Sequence, residues 1–393
     1  MKKKNVLIIH RGYPIGTNAG DKVRTLNMAK SLYKLGFNVY LLGFYTKGFS
    51  LKKKEMKSFP KEINPIFMYT LPNRLHLQYI AAWIRAIITW IICKKYSIDI
   101  VQSELASGAN CVRFVPDLPL VTDFHSDIVP ELEMDHYLPY QVENARKENI
   151  YALARSRKTI TVSSNLRNNL SVYGQTDIPN YILPCNFQAA PYQSLTRNMR
   201  LALRKEMGLD DRIILCYSGG LHVWQCISET LDLVIKLRKI NPAYFLCLYT
   251  NDSIEPYKDQ LKQLEGSYLI KSLKHQEVPS HLLLTDVGFV LRAESLVNIN
   301  SSPTKTSEYL AAGMMVVATQ YAGDVPQLVN ESGCGFILDN PQIKEQELKI
   351  LNEKIVQFMS EREEQADKAR NYVFKNRVWS ANETLLKRLY SDL

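Results

Sequence analysis

The residues best suited to chemistry lie in SSPTKTSEYLAAGMMVVAT, near the end of the second half of the chain. Ser302 is predicted to cap a helix that begins at Pro303, and Gly313 is predicted to end it in the left-handed conformation. Such a helix start offers free N–H groups, and Lys305 adds a positive charge, so the pattern predicts an anion site, with phosphate as the favoured anion. Glu308, one turn later on the same face, is predicted to bind sugar hydroxyls. The alternative is an ordinary strand–helix–strand unit with a solvated Lys–Glu pair.

A second candidate follows the apolar run Leu120–Phe124, which ends in the sequence TDFHSD. The run is predicted to be a parallel strand, and open α/β sheets bind ligands beyond the carboxyl ends of their strands. His125 is therefore a candidate substrate contact. Two alternatives stay open from the residues alone. His125 is either a structural histidine with satisfied hydrogen bonds, or a metal ligand together with Asp123 and Asp127, which alternate with it.

A glycine-containing loop, HRGYPIGTNAGD, joins the first predicted strand to the first predicted helix. Its glycines are spaced by four and do not form GxGxxG, and no acidic residue ends the second strand, so the dinucleotide-binding fingerprint is missing. Gly16 and Gly20 would still let a ligand approach the backbone closely. Gly20 or Asp21 is predicted to cap the helix that follows.

Strand and helix patterns alternate along the whole chain, which predicts an α/β fold with parallel sheets wrapped by helices in both halves. At 393 residues the chain is too long for one ordinary core, so two domains are expected. Residues 183–197 lack periodicity and hold two prolines, and they are the predicted boundary. The principal predicted helices span residues 22–35, 75–93, 131–154, 201–207, 227–240, 343–373 and 379–391.

Positive charge is concentrated at the start of the chain. The net charge is +10, yet residues 1–61 alone hold fourteen Lys and Arg against Asp21 and Glu55, which gives +12 and leaves about −2 for the rest. Such a field favours an anionic surface, either nucleic acid or an acidic membrane leaflet, whereas a set of solvated lysines is the alternative. The seven cysteines are scattered and never spaced as CxxC, so neither a disulfide framework nor a zinc site is indicated.

The predicted helix over residues 75–93 is markedly apolar, with bulky side chains about every fourth residue, interrupted by Arg85. It is too short to span a bilayer. It is either a core helix of the first domain or a helix in the membrane interface, with Trp83 and Trp90 at the headgroups. The opening sequence MKKKNVLIIHRGYP has too short an apolar run for a cleavable signal, so a cytoplasmic location is expected, with peripheral attachment to the inner membrane as an option.

Several motifs together resemble the GT-B glycosyltransferases, and in particular the retaining family-4 group, many members of which build bacterial capsule, O-antigen or exopolysaccharide. The motifs are the glycine loop with its helix, TDFH, VSSNLRNNL, ILPCN and SSPTKTSEYLAAGMMVVAT, the last being similar to SPxKxxEYxAxGxPVV. The resemblance covers nearly the whole chain. It implies two Rossmann-like doubly wound domains facing a central cleft: an acceptor-side domain over 1–188, a nucleotide-sugar domain over 189–375, and a C-terminal helix over 376–393 that returns to the first domain.

The resemblance also implies a role for each candidate residue. The glycine loop, Gly219 and the first turn of the helix would surround the donor phosphates, Glu308 would bind the ribose, the loop near Leu273 would hold the base, and His125 would contact the transferred sugar. The catalytic candidates are His125, Arg292 and Lys305. The donor-binding candidates are Gly16, Gly20, Asp21, Gly219, Gly220, His222, Leu273, Ser302, Pro303, Thr304, Thr306 and Glu308. No metal and no cofactor is implied beyond the nucleotide sugar, for which UDP is favoured over GDP.

Three positions depart from the family pattern. Gly220 and Gln225 stand where the family has an arginine and a lysine, and Asn300 replaces the first of two paired glutamates. Loss of a positioned cation at such a site typically costs several kcal/mol of transition-state stabilisation. We expect Arg292 and Lys305, with Arg11 or Lys22 as further candidates, to supply the missing positive charge.

The resemblance thus implies a metal-independent glycosyltransferase that moves a sugar, with retention, from a nucleotide-diphosphate sugar to a glycan or polyprenyl-linked acceptor in cell-surface polysaccharide synthesis. One alternative is a sugar-nucleotide epimerase or hydrolase of the same fold, which would need acidic catalytic groups such as Asp123, Asp127 or Glu131. Another is a non-catalytic protein that binds a membrane or nucleic acid. No nucleic-acid motif accompanies the basic segment, so no nucleic-acid partner is expected.

Overall fold

The computed structural model describes residues 3–10, 12, 20–46, 59–71, 77–174 and 177–393. They form two compact units. The first comprises Met1–Cys185 together with Asn382–Leu393, and the second comprises Asn186–Ala381. Each unit has its own parallel sheet and its own buried apolar core.

The first unit contains a seven-stranded parallel sheet in the order β3-β2-β1-β4-β5-β6-β7. Because the order reverses beside β1, the carboxyl ends of β1 and β4 open a crevice where ligands of such sheets bind. The strands are β1 (Asn5–His10), β2 (Asn38–Tyr45), β3 (Ile63–Tyr69), β4 (Ile100–Glu104), β5 (Leu120–Phe124), β6 (Lys158–Thr161) and β7 (Asn180–Ile182).

Helices of the first unit connect these strands and cover the sheet. They are α1 (Gly20–Lys34), α2 (Leu77–Lys95), α3 (Leu105–Ala109), α4 (Ile128–Met134), α5 (Pro139–Arg155), α6 (Ser164–Leu170) and, from the end of the chain, α17 (Glu383–Tyr390). Short 3₁₀ turns follow α3 and α6, at Asn110–Val112 and Ser171–Tyr173.

The second unit repeats the plan with a six-stranded parallel sheet in the order β10-β9-β8-β11-β12-β13. Its switch point lies between β8 and β11. The strands are β8 (Ile213–Ser218), β9 (Tyr244–Tyr249), β10 (Tyr268–Lys271), β11 (Val287–Val290), β12 (Met315–Thr319) and β13 (Gly335–Leu338). The helices are α7 (Ala190–Gln193), α8 (Arg197–Glu206), α9 (Ile227–Ile240), α10 (Lys258–Lys262), α11 (Val278–Leu283), α12 (Leu296–Ile299), α13 (Thr304–Ala311), α14 (Val325–Ser332), α15 (Glu345–Ser360) and α16 (Arg362–Asn376).

The predicted α/β class with two Rossmann-like sheets is confirmed. Two predicted helices are wrong in extent, because each is divided. The region 131–154 breaks between α4 and α5, where His136 has a positive φ of 54° and Leu138 precedes Pro139, a position that disfavours helical backbone. The region 343–373 breaks at Glu361, between α15 and α16.

The predicted cap of α13 is also wrong. The helix begins at Thr304, its N-cap is Pro303, and no side chain caps it. Ser302 is one residue too early to cap the first turn, and its hydroxyl instead donates to Asp324 Oδ2 at 2.8 Å. Gly313 does end the helix with a positive φ of 79°, as predicted.

Helix α2 buries only one of its faces. Small or short side chains at Ala81, Ala86 and Thr89 lie against the first unit. The opposite face leaves Trp83 53% exposed and Trp90 43% exposed, and its other exposed apolar side chains are Leu77, Tyr79, Ile80, Ile87 and Ile91. α2 is therefore a core helix by one face only. Within the described ranges, no helix combines the length and hydropathy needed to cross a membrane.

Candidate functional site

The anion site predicted around Lys305 lies at the switch point of the second sheet. β8 and β11 are neighbours there, paired at Val287↔Leu215 and Gly288↔Cys216. The chain leaves β8 through Gly219 and Gly220, and it leaves β11 towards Arg292. Ligands of open α/β sheets bind at this position, so the fold brings these loops to the expected binding edge.

Tyr309 fixes helix α13 at this edge. Its side chain is fully buried, and its hydroxyl accepts a hydrogen bond from the Ser218 backbone N–H at 2.9 Å. The ring lies so close to Gly288 that a Cβ there would stand 2.3 Å from a ring carbon, so β11 needs a glycine at this point. The first turn of α13 is thereby held beside the end of β8.

Lys305 lies in that first turn and points to the end of β8. Its Nζ donates to the Tyr217 hydroxyl at 3.1 Å and to Gln225 Oε1 at 3.2 Å, and it lies 4.2 Å from the centre of the Tyr217 ring. A Cβ on Gly219 would approach Nζ to 2.8 Å, and Gly219 has a φ of 135°, so this turn requires glycine. Burial lowers the pKa of Lys305 well below its usual value, and the nearby positive charge of Arg292 lowers it further.

Arg292 is the second cation of the site. It is only 4% exposed, and its guanidinium donates through Nη1 to its neighbour's carbonyl, Leu291 O, at 2.9 Å. Among the described residues, no carboxylate lies within ion-pair distance of Arg292 or of Lys305. Burial lowers the pKa of Arg292 as well. Two neighbouring cations, one buried and one half-buried, that form no ion pair with a described carboxylate make a site suited to an anion with more than one charge.

Glu308 follows Lys305 by one turn. Burial raises the pKa of Glu308, whereas the charges of His275 and Lys305 act in the opposite direction. The side chains of Glu308 and Lys305 are both only partly exposed, which does not fit the alternative of a fully solvated surface pair. The buried Tyr192 hydroxyl lies close to Glu308, and this contact lowers the pKa of the Glu308 carboxyl, against the effect of burial.

The other predicted donor-site residues of the second unit make the following contacts. Gly220 accepts a hydrogen bond from the Tyr217 hydroxyl at 2.6 Å, and the ring of His222 stacks on Trp224 with the centroids 4.6 Å apart. Leu273 packs against the core of the second unit. Thr304 and Thr306 lie in the first turn of α13, and Thr306 is fully buried with no partner for its hydroxyl among the described residues.

The structure shows the surroundings of two residues that depart from the family pattern, Gln225 and Asn300. Gln225, at the family's lysine position, presents its carbonyl oxygen to Lys305 Nζ. A second ammonium group at that position would repel Lys305. Asn300, at the position of the first paired glutamate, is buried. The cations that lie at this edge of the second sheet are Arg292 and Lys305, whereas Arg11 lies outside the described residues.

In the first unit, the described part of the glycine loop centres on His10 and Asp21. Helix α1 begins at Gly20, so Asp21 lies inside its first turn rather than at the cap. The Gly12 N–H donates to His10 Nδ1 at 3.1 Å, and His10 Nε2 lies 3.6 Å from Asp21 Oδ2. The contact with His10 lowers the pKa of Asp21 to about 2. Gly16 lies outside the described residues.

His125 lies directly after β5, in a buried cluster that also contains Arg24, Glu104 and Asp123. Arg24 forms a two-point ion pair with Asp123, with Nε–Oδ2 at 2.8 Å and Nη2–Oδ1 at 2.9 Å. Burial lowers the pKa of His125 to about 4, so its imidazole is neutral at pH 7.

The proposed grouping of Asp123, His125 and Asp127 as metal ligands is wrong. Asp127 caps α4 by accepting from the Val129 N–H at 3.1 Å, and it also accepts from Asn149 and Tyr173. It is thus fully engaged in a structural role. The group that does bring ligand atoms within 4.8 Å of one another is Glu104, Asp123 and His125.

Sequence reasoning missed Arg24, Glu104 and Tyr217. Tyr217 and Glu104 stand at the carboxyl ends of β8 and β4, so the rule that placed His125 could have found them. Arg24 lies in the first helix, one turn after Gly20, and only the sheet order brings it to Asp123.

A cavity of about 380 Å³ opens at the carboxyl ends of β1 and β2 in the first unit. It combines aromatic, charged and hydroxyl groups, and the polar residues that line it include His10, Tyr45, Thr70, Arg85, Ser107 and Glu148. The hydroxyls of Thr70 and Ser107 are buried and have no partner among the described residues. Such a lining suits a ligand that carries hydroxyl groups.

Comparison with known families decides the identity. Residues 20–185 match the model described as Glycosyltransferase Family 4, and residues 199–375 match the model described as Glycosyl transferases group 1. The chain is a family-4 glycosyltransferase of the GT-B fold. A comparison with curated protein sequences finds no significant match.

Solved structures of similar fold cover this glycosyltransferase almost completely. HepE from Anabaena, in complex with UDP, is 15% identical over 99% of this chain and 100% of its own, with a TM-score of 0.74. Sucrose-phosphate synthase from Thermosynechococcus elongatus is 14% identical over 99% of each chain, with a TM-score of 0.75. WaaG, a glycosyltransferase involved in lipopolysaccharide biosynthesis, is 15% identical over 98% of this chain and 99% of its own, with a TM-score of 0.71.

Proposed function

We propose that this glycosyltransferase transfers a sugar from a UDP-sugar to a hydroxyl of a glycan or lipid-linked acceptor, with retention and without a bound metal. The observation that carries the proposal is a pair of cations, the buried Arg292 and the half-buried Lys305, at the switch point of the second sheet. Neither has a carboxylate partner among the described residues. A diphosphate supplies the two negative charges that such a pair requires.

The main catalytic task of this site would be to stabilise the leaving group, the nucleoside diphosphate. The bond between the anomeric carbon and the diphosphate oxygen breaks, the acceptor oxygen forms its bond to the same carbon, and the proton of the acceptor hydroxyl passes to the leaving diphosphate. Arg292, Lys305 and the free N–H groups of the first turn of α13 would stabilise the charge that develops on the diphosphate. Glu308 would accept hydrogen bonds from the ribose hydroxyls, and His125 would contact the transferred sugar.

The choice of UDP is supported by the structures of HepE, which were determined with UDP, with UDP and glucose, and with UDP-glucose. Leu273 follows β10 and marks the loop that we propose for the uracil base. GDP would be the alternative nucleotide.

The acceptor is proposed to bind the cavity of the first unit. The unpartnered hydroxyls of Thr70 and Ser107 and the charged side chains of Arg85 and Glu148 suit a hydroxyl-rich sugar ring. The involvement of WaaG in lipopolysaccharide biosynthesis supports a role in cell-surface polysaccharide synthesis.

We further propose that the first unit docks on the cytoplasmic face of the membrane through the exposed face of α2. Trp83 and Trp90 would lie at the headgroups, and Lys94 and Lys95, in the last turn of α2, would face anionic lipids. A polyprenyl-linked acceptor would then be within reach of the enzyme.

The test is a transfer assay in EDTA with UDP-, GDP-, CMP- and ADP-sugars and a synthetic polyprenyl-diphosphate-linked sugar in detergent. We expect release of UDP, and a product whose anomeric configuration, read by NMR, equals that of the donor. Lys305→Met and Arg292→Gln should each lower kcat by about 10²- to 10³-fold, the typical loss for one positioned group. Lys258→Met, which removes an exposed lysine of the same unit, is the matched control.

An inverted product would refute retention, and dependence on added Mg²⁺ would refute metal independence. Release of the sugar to water or conversion to an epimer would favour the epimerase or hydrolase reading. Of the acids named for that alternative, Asp123 and Asp127 are both engaged in buried contacts. Tight binding of nucleic acid without turnover of any nucleotide sugar would favour a non-catalytic binding protein.

A further inference from the structure

Glu104 and His125 are brought together by neighbouring strands of the first sheet. Glu104 ends β4 opposite Asp123 of β5, and His125 follows β5 by one residue. Glu104 is only 2% exposed. An acidic side chain so placed needs either a counter-ion or a proton.

The cation of the cluster, Arg24, is already paired with Asp123. Both carboxylate oxygens of Asp123 accept from Arg24, and the remaining Arg24 donors reach the carbonyl oxygens of Leu183 and Pro184 at 3.0 and 3.3 Å. Arg24 therefore balances one carboxylate. The charge of a second ionised carboxylate, on Glu104, would stay uncompensated in a dry environment.

Only one of the two carboxylate oxygens of Glu104 accepts a hydrogen bond from a described residue. Oε1 accepts from Gln102 Nε2 at 2.8 Å. Oε2 is buried, and so is His125 Nδ1; neither atom has a hydrogen bond to a described residue, and they lie 3.6 Å apart. A shift of a few tenths of an ångström would bring them within hydrogen-bond length.

We propose that Glu104 is protonated on Oε2 and donates this proton in a hydrogen bond to Nδ1 of His125, which then keeps its own proton on Nε2. Glu104 is thus a positioning residue: it selects one tautomer of His125 and orients the ring. The proposal rests on the proposed function, in which the Nε2–H group is the donor that His125 offers to a sugar oxygen.

The electrostatics of the cluster agree with this assignment. Burial raises the pKa of Glu104 well above its usual value, and Asp123 raises it further, against the opposing effects of Arg24, Gln102 and Thr25. Neutral His125 is an acceptor at Nδ1 only if its proton is on Nε2. The charged and titratable groups that surround the pair from the adjoining elements are His10, Asp21, Arg24, Asp123 and Tyr390.

A metal ion is the competing occupant, because Glu104, Asp123 and His125 bring ligand atoms within 4.8 Å of one another. However, the guanidinium of Arg24 contacts both oxygens of Asp123, so a divalent cation would have to share its ligand with a fixed positive charge. A single proton removes the excess charge without that repulsion.

The first test reads the tautomer directly. In protein labelled with ¹⁵N in its histidines, long-range ¹H–¹⁵N correlation at pH 7 distinguishes the two tautomers and the imidazolium, and loss of the signal in His125→Asn assigns it. We expect unprotonated Nδ1 and protonated Nε2. Protonated Nδ1, an imidazolium, or selective broadening by one equivalent of Mn²⁺ would each overturn the proposal. This readout does not depend on transfer activity, so it separates failure of the pairing from failure of the proposed function.

The second test uses the transfer assay. In Glu104→Gln the amide oxygen can accept from Gln102 while the NH₂ group donates to His125, so we expect its kcat to stay within about threefold of wild type. Glu104→Ala should lower kcat at least about tenfold and change the His125 tautomer ratio. Equal losses in both variants, or no loss in Glu104→Ala, would overturn the role of Glu104. Glu143→Gln, an exposed position of the same unit, is the control for loss of a carboxylate.

Discussion

At the scale of single residues, the donor site that we propose depends on a half-buried lysine, Lys305, and a buried arginine, Arg292. The groups that accept hydrogen bonds from these two side chains are neutral. They are Tyr217 and Gln225 for Lys305, and a backbone carbonyl for Arg292. A neutral surrounding leaves the positive potential available to a ligand. This explains why glutamine at position 225 is compatible with the site although the family pattern has a lysine there.

The affinity for UDP should decrease at alkaline pH because of Lys305. Its lowered pKa means that its charge is lost, as the pH rises, at a lower pH than for an ordinary lysine. We expect the Kd of UDP, measured by calorimetry between pH 7 and 10, to rise with pH in the wild type and to change much less in Lys305→Arg, since arginine keeps its proton. Parallel pH profiles for the two proteins would contradict this role.

Glu104 should make the stability of the first unit depend on pH. Its pKa in the folded protein is raised above the ordinary value of 4.5, so its contribution to stability is complete below about 4.5 and is lost as the pH rises through the folded-state pKa. Glu104→Gln does not titrate. We expect its melting temperature, relative to wild type, to increase from pH 5 to pH 8 in scanning calorimetry. A constant difference would mean that Glu104 is ionised throughout.

At the scale of elements, helix α2 combines a buried face, which holds Ala81, Ala86 and Thr89 and ends in Ile92 and Cys93, with an exposed apolar face. The sequence period of about four residues showed that the helix is apolar on several sides, but it could not show which side the first unit covers. Burial of Ala81 and Ala86 lets the helix lie close to its neighbours, and this turns the large side chains outward. The positions of the small side chains, rather than the hydropathy pattern, indicate which face of α2 is buried.

Vesicle binding should depend on the exposed face of α2. Trp83→Ser with Trp90→Ser should weaken co-sedimentation with anionic vesicles about tenfold or more, because each buried indole contributes a large apolar area. The melting temperature should change little, since both side chains are about half exposed. The matched control is Met199→Ser with Leu201→Ser, which removes exposed apolar side chains from α8. Equal effects of the two double variants would count against a specific docking face.

The helix that carries Lys305 was predictable in outline and wrong in detail. Its strand, loop, helix and strand order and its exit at Gly313 follow from local rules of apolar runs and glycine conformation. The helix begins at Thr304, and the Ser302 hydroxyl binds Asp324, a residue of a later loop, in a contact that local sequence does not reveal. The same limit hid the pairing of Arg24 with Asp123, which are 99 positions apart.

At the scale of the whole molecule, the chain returns at its end to the first unit. Helix α17 is held there by Lys158, whose Nζ donates to Leu389 O at 2.7 Å, and by Tyr390, whose hydroxyl bonds Gln102. Gln102 is also the partner of Glu104. The last residues of the chain are therefore connected to the His125 cluster through one amide side chain.

Removal of residues 382–393 should destabilise the first unit selectively. We expect calorimetry of the chain ending at Ala381 to show one transition at a lower temperature and another that is unchanged, because the deleted residues belong to the first unit. UDP, which we propose binds the second unit, should still raise the unchanged transition. Loss of both transitions, or a shift of only the transition that UDP stabilises, would contradict this assignment.

The most direct test of the account is the affinity of UDP for the full chain in EDTA, measured by calorimetry for wild type, Lys305→Met and the control Lys258→Met. We predict that UDP binds the wild type and the control equally without a metal and binds Lys305→Met at least about tenfold more weakly, since one charge-assisted contact to the diphosphate is removed. Absence of binding in EDTA, or equal affinity in all three proteins, would contradict the claim that Arg292 and Lys305 form the diphosphate site.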